Sequence, residues 1–312
     1  MLTKVRKYFV DAFILPLIGI SVFLLLWTGV SKLTWDASQN RSDLPSPIRS
    51  WQDSAKYTKA PFTHNVEDNY DGIGLLTMHS LGLVAQGYVL AIAIGVPLGF
   101  LLGASKTFTK CFDPIFQVLR PVSPLAWYPL AGLVVVSLRK SHPSLDATTW
   151  QCILTIGICA LWPTAVNTAV GVRAIPQDYH NIAKVLQLSR LKTFTKILFP
   201  AALPFMFTGF RLSLGIAWLV IVAAEMLSGK TGIGFFVNDA YSNADYGSMM
   251  MAIVVIGVVG FILDRMMSVL ERNIHGMLAF ISRSFSRILR LFERGEKKSP
   301  AFSTGSEVAD AV

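Results

Sequence analysis

The chain has 312 residues, of which 53% are hydrophobic and only 15% are charged, and its mean hydropathy is +0.51. Soluble globular proteins carry about 25% charged residues, so this composition excludes an ordinary soluble domain. The net charge is +9. Because no nucleic-acid-binding motif accompanies that charge, we interpret it as a consequence of membrane topology and contact with anionic lipid, with no nucleic-acid partner.

Six apolar stretches are long enough to cross the hydrocarbon core of a bilayer, which takes roughly 20 helical residues. They predict an all-α integral membrane protein with six transmembrane helices. The first stretch follows basic residues but lacks a small-residue cleavage site, so we expect a retained signal anchor. The predicted spans are 12–31, 81–104, 121–138, 151–170, 203–226 and 248–268.

The distribution of lysine and arginine predicts how these spans are oriented. With the N-terminus inside, 19 of these residues lie on the cytoplasmic side and 8 lie outside, while Arg211 falls within a span. Cytoplasmic loops carry the excess of positive charge in membrane proteins. We therefore expect both termini in the cytoplasm, an N-in and C-in topology.

The chain divides into three predicted parts. Residues 1–80 hold the anchor helix and an outside loop, in which a short helix is expected to begin near Pro47. Residues 81–272 hold five spans and form the compact core. Residues 273–312 begin as a basic amphipathic helix, expected on the inner leaflet, and end in a small, polar stretch from Ser299 that we expect to be disordered. No internal repeat is visible in the sequence, so a symmetric channel needs a second copy or a paralogue.

The third span is interrupted by Pro121, Pro124 and Pro129. Broken helices persist in membranes where neighbouring helices or a water-filled cavity satisfy the freed carbonyl groups. The pattern therefore indicates either a helix on a translocation path or a kinked packing helix.

The second span carries three glycines at four-residue spacing, a ridge of small residues that lets a neighbouring helix approach closely. These are Gly95, Gly99 and Gly103. We interpret the ridge as helix packing.

The basic segment 172–200, between the fourth and fifth spans, holds the most informative pattern. Pro176 suits the first turn of a helix, and Asp178 beside it is favourable to the helix dipole. A second helix is predicted from Leu191, and Pro200 marks entry into the fifth span. We interpret the segment as a cytoplasmic helix-turn-helix, with an ordinary interfacial loop as the alternative.

The spacing of this segment resembles the EAA loop of binding-protein-dependent ABC importer permeases. That motif reads E-A-A, three residues, G, nine residues, then I-x-L-P. Ala183, Ile197 and Pro200 match it, Phe199 is a conservative change, and Asn181, Ile182 and Gln187 depart from it.

Three longer blocks, residues 120–133, 161–189 and 199–227, resemble the nitrate-type permeases of the same family. This subgroup also serves bicarbonate, cyanate, taurine and alkanesulfonates. The resemblance covers about residues 75–270. It implies the transmembrane domain of a type I ABC importer with a core like that of methionine importers, in the cytoplasmic (inner) membrane of a bacterium. The implied substrate is a small inorganic anion, most simply nitrate (with nitrite), while bicarbonate and then sulfonates or taurine are the alternatives.

The resemblance also implies the partners of this chain. They are a second permease copy, two cytoplasmic ATP-hydrolysing subunits, an external solute-binding protein and the surrounding lipid. ATP and Mg²⁺ are expected on the ATPase subunits, so the permease itself is expected to hold no cofactor and to be no enzyme. The residues expected to contact the ATPase are Asp178, Asn181, Ile182, Ala183, Val185, Leu186, Gln187 and Leu188.

Several residues are candidates for the solute path. Arg211 lies within a span, where a cation is either an attractor for an anion or a snorkelling or ion-paired structural residue. The fourth span carries a polar stripe that either lines the path or joins helices. Trp127 is a candidate gate residue, although aromatic packing is the common alternative. The remaining candidates are Thr164, Asn167, Thr168 and Trp162.

Other classes of protein fit the sequence less well. Gly229-Lys230-Thr231 has the tail of a phosphate-binding loop, but the earlier glycine of that motif is replaced by Ala224 and no strand precedes it. The histidines and three cysteines form no catalytic or metal-binding pattern, which disfavours a membrane-embedded enzyme. An ion-driven secondary transporter is the remaining alternative, although internal repeats and embedded carboxylates typical of that class are not visible.

Overall fold

The computed structural model describes residues 14–36, 41–42, 44–65 and 70–296, and nearly all of its regular structure is helical. The helices are α1 (Leu15–Leu33), α2 (Pro47–Asp53), α3 (Ala55–Thr58), α4 (Ile73–Ala104), α5 (Lys106–Leu119), α6 (Pro124–Arg139), α7 (Ala147–Arg173), α8 (Gln177–Val185), α9 (Arg190–Thr193), α10 (Phe199–Ser228), α11 (Ile233–Ser242) and α12 (Tyr246–Glu296). A π-helical turn, Phe194–Leu198, joins α9 to α10.

Two short antiparallel strand pairs in the α1–α4 connection depart from the all-α expectation. They are β1 (Trp35–Asp36) with β2 (Arg41–Ser42), and β3 (His64–Asn65) with β4 (Tyr70–Asp71). The same connection contains α2, which begins at Pro47 as predicted, with the Ser46 hydroxyl accepting a bond from the Arg49 amide at its start. The departure is therefore confined to a loop.

Five helices within the described residues are long and apolar enough to cross a membrane, or six if the bent pair α5–α6 counts as one span. Each of the six predicted spans falls on one of them. Three predictions lie wholly or partly outside the described residues: the chain before residue 14, the side chain of Ile182, and the disordered end from Ser299.

The second span begins earlier than predicted, at Ile73 instead of residue 81, so the predicted outside loop is shorter. In the fold, the Thr77 hydroxyl donates to the carbonyl of Ile73 at 2.7 Å, while Ile73 and Leu76 are buried in the core. Satisfying the hydroxyl within the helix lets α4 continue through Thr77.

The third span is broken, as its prolines predicted. Helices α5 and α6 meet at an angle of 109°. Pro121 lies in the break, and Pro124 occupies the first turn of α6, where proline costs no hydrogen bond. The spanning part, α6, has only 16 residues, which is short for a complete crossing.

The centre of the core is the packing of α4 against α7, the most extensive helix pair in the chain. The predicted glycine ridge makes this contact. A β-carbon added at Gly99 would lie 2.5 Å from the β-carbon of Thr168, and one added at Gly95 would lie 3.0 Å from that of Thr164. Because these positions have no side chain, the two helices approach closely, which confirms the predicted packing role.

Contacts within the chain define two compact units, Met1–Met267 and Ser268–Val312. The first unit holds the helical core. In the second, the backbone is helical from Ser268 to Glu296, which includes most of the predicted amphipathic tail.

The glycine ridge generates a stability prediction. Replacing Gly99 by Ala forces α4 away from α7, and overpacking of this kind costs about 1–3 kcal/mol. We expect a lower midpoint of thermal unfolding for the detergent-solubilised protein. Gly82 in the same helix has open space around it, so Gly82→Ala is the matched control and is expected to stabilise the helix by about 0.5–1 kcal/mol. Equal stabilisation by both substitutions would contradict the packing role of the ridge.

Candidate coupling surface and translocation residues

Helix α8 ends in a compact turn that sets the shape of the predicted coupling segment. Gln187 has a φ of 47°. Its amide donates to the carbonyl of Lys184 at 3.0 Å, and the amide of Leu188 donates to that of Ala183 at 3.0 Å. This pair of bonds is the Schellman motif, whose left-handed position is usually glycine. The EAA-loop motif that this segment resembles has glycine at the position of Gln187. The left-handed backbone at this position is a physical reason for that preference.

One face of α8 presents apolar side chains beside polar ones. Val185 is 82% exposed and Leu186 is 62% exposed. Together with Asp178 and Asn181 they line a surface cavity of about 370 Å³. Four of the eight residues predicted to contact the ATPase therefore converge on one open surface, which we call the α8 surface.

Ala183 does not belong to this surface, although it was among the predicted contact residues. Its side chain is only 7% exposed, because the helix turns it toward the rest of the chain. Gln187 is exposed, and Leu188 is half-buried beyond the helix end. A substitution at Ala183 therefore acts on the packing of the segment and does not probe its outer face.

Arg211, one of the path candidates, is ion-paired with a residue that the sequence reading missed. Its Nε and Nη2 atoms donate to the two carboxylate oxygens of Asp264 at 2.7 and 2.9 Å. Arg211 lies on α10 and Asp264 on α12, 53 residues apart in the chain. The ion-paired alternative for Arg211 is therefore the one found, and no local pattern could have identified the partner.

The polar stripe on α7 is turned into the protein. Thr164 and Thr168 are fully buried. The hydroxyls of Thr164 and Ser213 are 2.7 Å apart, and the Ser213 hydroxyl donates to the carbonyl of Ala160 at 2.6 Å. Asn167 is half-buried and donates to the carbonyl of Pro163. In this conformation Thr164 joins α7 to α10 and Thr168 packs against Gly99 of α4, so the stripe serves helix packing, and the two threonines do not face a solute.

Two tryptophans among the path candidates have buried indole N–H groups without a hydrogen-bond acceptor in the described residues. These are the Nε1 atoms of Trp127 on α6 and Trp162 on α7. The ring of Trp162 contacts Phe116 of α5 edge-on, with centroids 5.2 Å apart. Such unpaired buried donors are uncommon in proteins. Because neither N–H has an acceptor among the described residues, each can donate to water or to an anion.

Glu225, at the end of α10, is 1% exposed. One of its carboxylate oxygens accepts bonds from the Ser80 hydroxyl at 2.8 Å and from the Gly234 amide at 2.9 Å. The Ser80 hydroxyl also accepts from the Ile233 amide. Glu225 therefore connects α4 and α10 to the first turn of α11, where free amide groups favour a negative charge.

An exposed ion pair lies between α7 and the α10–α11 turn. The Lys230 ammonium and the Asp146 carboxylate are 2.7 Å apart. The bond from Lys230, with a second from the Thr149 hydroxyl, lowers the pKa of Asp146 to about 2. Because this pKa lies below the ordinary value, the stability that the carboxylate contributes is present above the ordinary carboxyl pKa and is lost as the pH falls toward 2.

No group of metal-ligating side chains occurs in the described part of the chain, and the three cysteines are unpaired.

Comparison with known proteins identifies the family of this arrangement. The family model described as "Binding-protein-dependent transport system inner membrane component" matches residues 95–276. The chain is 41% identical over 256 residues to the nitrate import permease protein NrtB of Synechocystis sp., covering 82% of this chain and 87% of that protein. It is 43% identical over 261 residues to the bicarbonate transport system permease protein CmpB of the same organism, covering 83% and 88%.

Among solved structures, an inward-facing form of the MetNI methionine ABC transporter has the same fold. The TM-score is 0.55 at 14% identity, and the match covers 62% of this chain and 92% of the other. This similarity confirms the prediction that the core has the fold of a methionine importer permease.

The left-handed conformation of Gln187 gives a prediction about the α8 turn. A non-glycine residue in this region costs of the order of 1 kcal/mol, so Gln187→Gly is expected to stabilise the turn. Amide hydrogen exchange in residues 177–188 should become slower, with no change in α4. Lys184→Gly, inside the same helix, is the control and should accelerate exchange. Acceleration by both substitutions would contradict the assigned geometry.

Proposed function

We propose that this chain, which belongs to the binding-protein-dependent inner-membrane permeases of ABC importers, imports nitrate, and nitrite with it. The observation that carries the proposal is its similarity to nitrate import permeases over about four fifths of its length. As a family member the chain is a multi-pass inner-membrane permease and not an enzyme, and ATP hydrolysis is supplied by separate subunits. This excludes the ion-driven secondary transporter.

Bicarbonate is the second candidate substrate. The bicarbonate permease relative is as similar to the chain as the nitrate permease relative is. Nitrate and bicarbonate are both planar, singly charged oxyanions, so one path suits either ion, and the external binding protein then sets most of the selectivity. Taurine and other sulfonates, which are tetrahedral at sulfur, are the third class.

The proposed assembly contains two copies of this chain, two ATPase subunits that hold ATP and Mg²⁺, and one external binding protein. Both termini lie in the cytoplasm, which places the α8 surface on the ATPase side. The proposed division of the chain keeps the core to residue 272 and the basic tail beyond it, and the predicted N-terminal boundary near residue 80 moves to Ile73, where α4 begins.

The α8 surface is the proposed site of force transfer. An exposed apolar pair, Val185 and Leu186, provides the kind of anchor that docks into a groove of a partner. The Schellman turn holds this helix rigidly, and the segment continues through α9 and the π-helical turn into α10. Displacement of α8 by nucleotide-driven closure of the ATPases is thereby transmitted to a membrane span.

The proposed solute path contains donors that suit a weakly hydrated anion. Trp127 and Trp162 have buried indole N–H groups without an acceptor in the described chain, and neutral donors of this kind bind an anion without the desolvation cost of a second ion. The Thr168 hydroxyl is also buried and unpaired; it, Thr164 and Asn167 join the path only if α7 and α10 separate during transport.

The first test is uptake of isotope-labelled nitrate by proteoliposomes that contain this chain, its ATPase subunits and its binding protein. We expect uptake that requires ATP and the binding protein, because both are part of the proposed mechanism. Labelled bicarbonate and taurine are measured in parallel. Uptake of bicarbonate or taurine in place of nitrate would overturn the substrate, and ATP-independent uptake would overturn the mechanism.

A second test concerns the α8 surface. Leu186→Asp places a charge in the apolar contact and is expected to lower ATP-dependent uptake at least tenfold, since losing a buried anchor costs about 2 kcal/mol or more. Co-purification of the ATPase should fall with it. Ser189 caps the next helix by accepting from the Lys192 amide, so Ser189→Asp adds the same charge and keeps the cap. Equal losses in both variants would contradict docking through Leu186.

A further inference from the structure

The ion pair between Arg211 and Asp264 lies within the membrane-spanning helices α10 and α12. Arg211 follows Phe199, the start of α10, by twelve residues, a rise of about 18 Å along the helix. Nevertheless the pair is not enclosed by the chain, because the side chains of Arg211 and Asp264 are 37% and 47% exposed.

A pair of exposed charges at this depth determines what the surface around it faces. Ionised side chains within membrane spans face a bundle interior or a water-filled cavity, since contact with hydrocarbon is costly. The surface of α10 and α12 that carries the pair is therefore turned away from lipid in the assembled transporter. A surface turned away from lipid either packs against a partner chain or lines a water-filled cavity, which in a permease is the solute path.

The two helices also touch at a second point. Trp218 of α10 donates its indole N–H to the carbonyl of Ile256 on α12 at 3.0 Å. Its ring also lies against Gly260, where an added β-carbon would be 3.2 Å away. This contact lies one to two turns from the ion pair, so α10 and α12 touch at more than one point.

The geometry of the pair indicates the shape of anion that the Arg211 guanidinium can bind. Two nitrogens of the guanidinium bind both oxygens of one carboxylate, at 2.7 and 2.9 Å. This pair of parallel hydrogen bonds, which we call the guanidinium fork, is complementary to planar groups that present two adjacent oxygens. Nitrate and bicarbonate present the same two-oxygen edge as a carboxylate, whereas a spherical halide does not.

We propose that Arg211 is a binding site for planar oxyanions and that the Asp264 carboxylate competes with the anion for the Arg211 guanidinium. This inference rests on the proposed function. With no solute present, Asp264 neutralises Arg211 and keeps an unpaired cation out of the membrane. An arriving anion exchanges with the Asp264 carboxylate, and the return of the carboxylate promotes release. The competition keeps binding weak enough for transport, while selecting the shape of the anion.

The test compares Asp264→Asn and Arg211→Lys in the complete transporter. Nitrate binding is measured by equilibrium dialysis on the purified complex without the binding protein, and uptake is measured in proteoliposomes. For Asp264→Asn we expect about fivefold tighter nitrate binding, as loss of an exposed ion-pair partner allows, and slower uptake because release is hindered. Arg211→Lys keeps the charge but loses the fork, so nitrate binding should fall several-fold in a complex that still assembles.

Competition tests the proposed shape selection. Formate, a free carboxylate, and bicarbonate should displace nitrate from the Asp264→Asn complex, while chloride at the same concentration should not. Equal displacement by chloride would overturn the site as a planar-oxyanion fork.

Asp146→Asn is the matched control, because it removes a carboxylate from the similarly exposed pair with Lys230, outside the membrane spans. It should leave nitrate binding unchanged. The inference is overturned if Asp264→Asn binds no more tightly than wild type, if Asp146→Asn has the same effect, or if both test variants fail to assemble. If the wild-type complex imports neither nitrate nor bicarbonate, the proposed function fails, while the binding data still decide whether Arg211 is an oxyanion site.

Discussion

The close contact between α4 and α7 is the constraint on which the rest of the structure depends. Gly95 and Gly99 remove the side chains that would separate the two helices, so that Thr164 and Thr168 fill the space directly. In a bilayer, apolar side chains gain little by leaving lipid, and helices associate through close packing and hydrogen bonds instead. Once α7 is buried in this way, it provides the surface to which α6 and α10 attach.

The same constraint determines where the coupling segment emerges. Helix α7 ends at Arg173, which donates to the carbonyl of Leu102 at the end of α4 at 3.0 Å. The segment therefore leaves the core from a fixed point and returns to it at α10. Between these two points, the turn at Gln187 directs Val185 and Leu186 outward. A segment joined to membrane spans at both ends fits the proposed role in force transfer, because it connects the α8 surface directly to α10.

Local patterns in the sequence were sufficient for much of this architecture. Apolar runs predicted the spans, Pro121 and its neighbours predicted the break in the third span, and the spacing around Ala183 predicted a helix-turn-helix and its family. Each of these signals lies within a single helix or turn, where periodicity and backbone chemistry act. The predicted start of the second span was late, because α4 begins at Ile73 and its Thr77 and Ser80 hydroxyls bond to carbonyls within the helix.

By itself, the sequence determined the membrane class, the helical composition and the family, since these follow from hydrophobicity and short-range spacing. Only the tertiary structure decided which side of each helix is covered. It paired Arg211 with Asp264, buried Ala183 and the threonine stripe, and placed Glu225 at the start of α11. These outcomes depend on contacts between residues far apart in the chain, and the rotation of one helix against another is set by packing of whole surfaces, which no local pattern records.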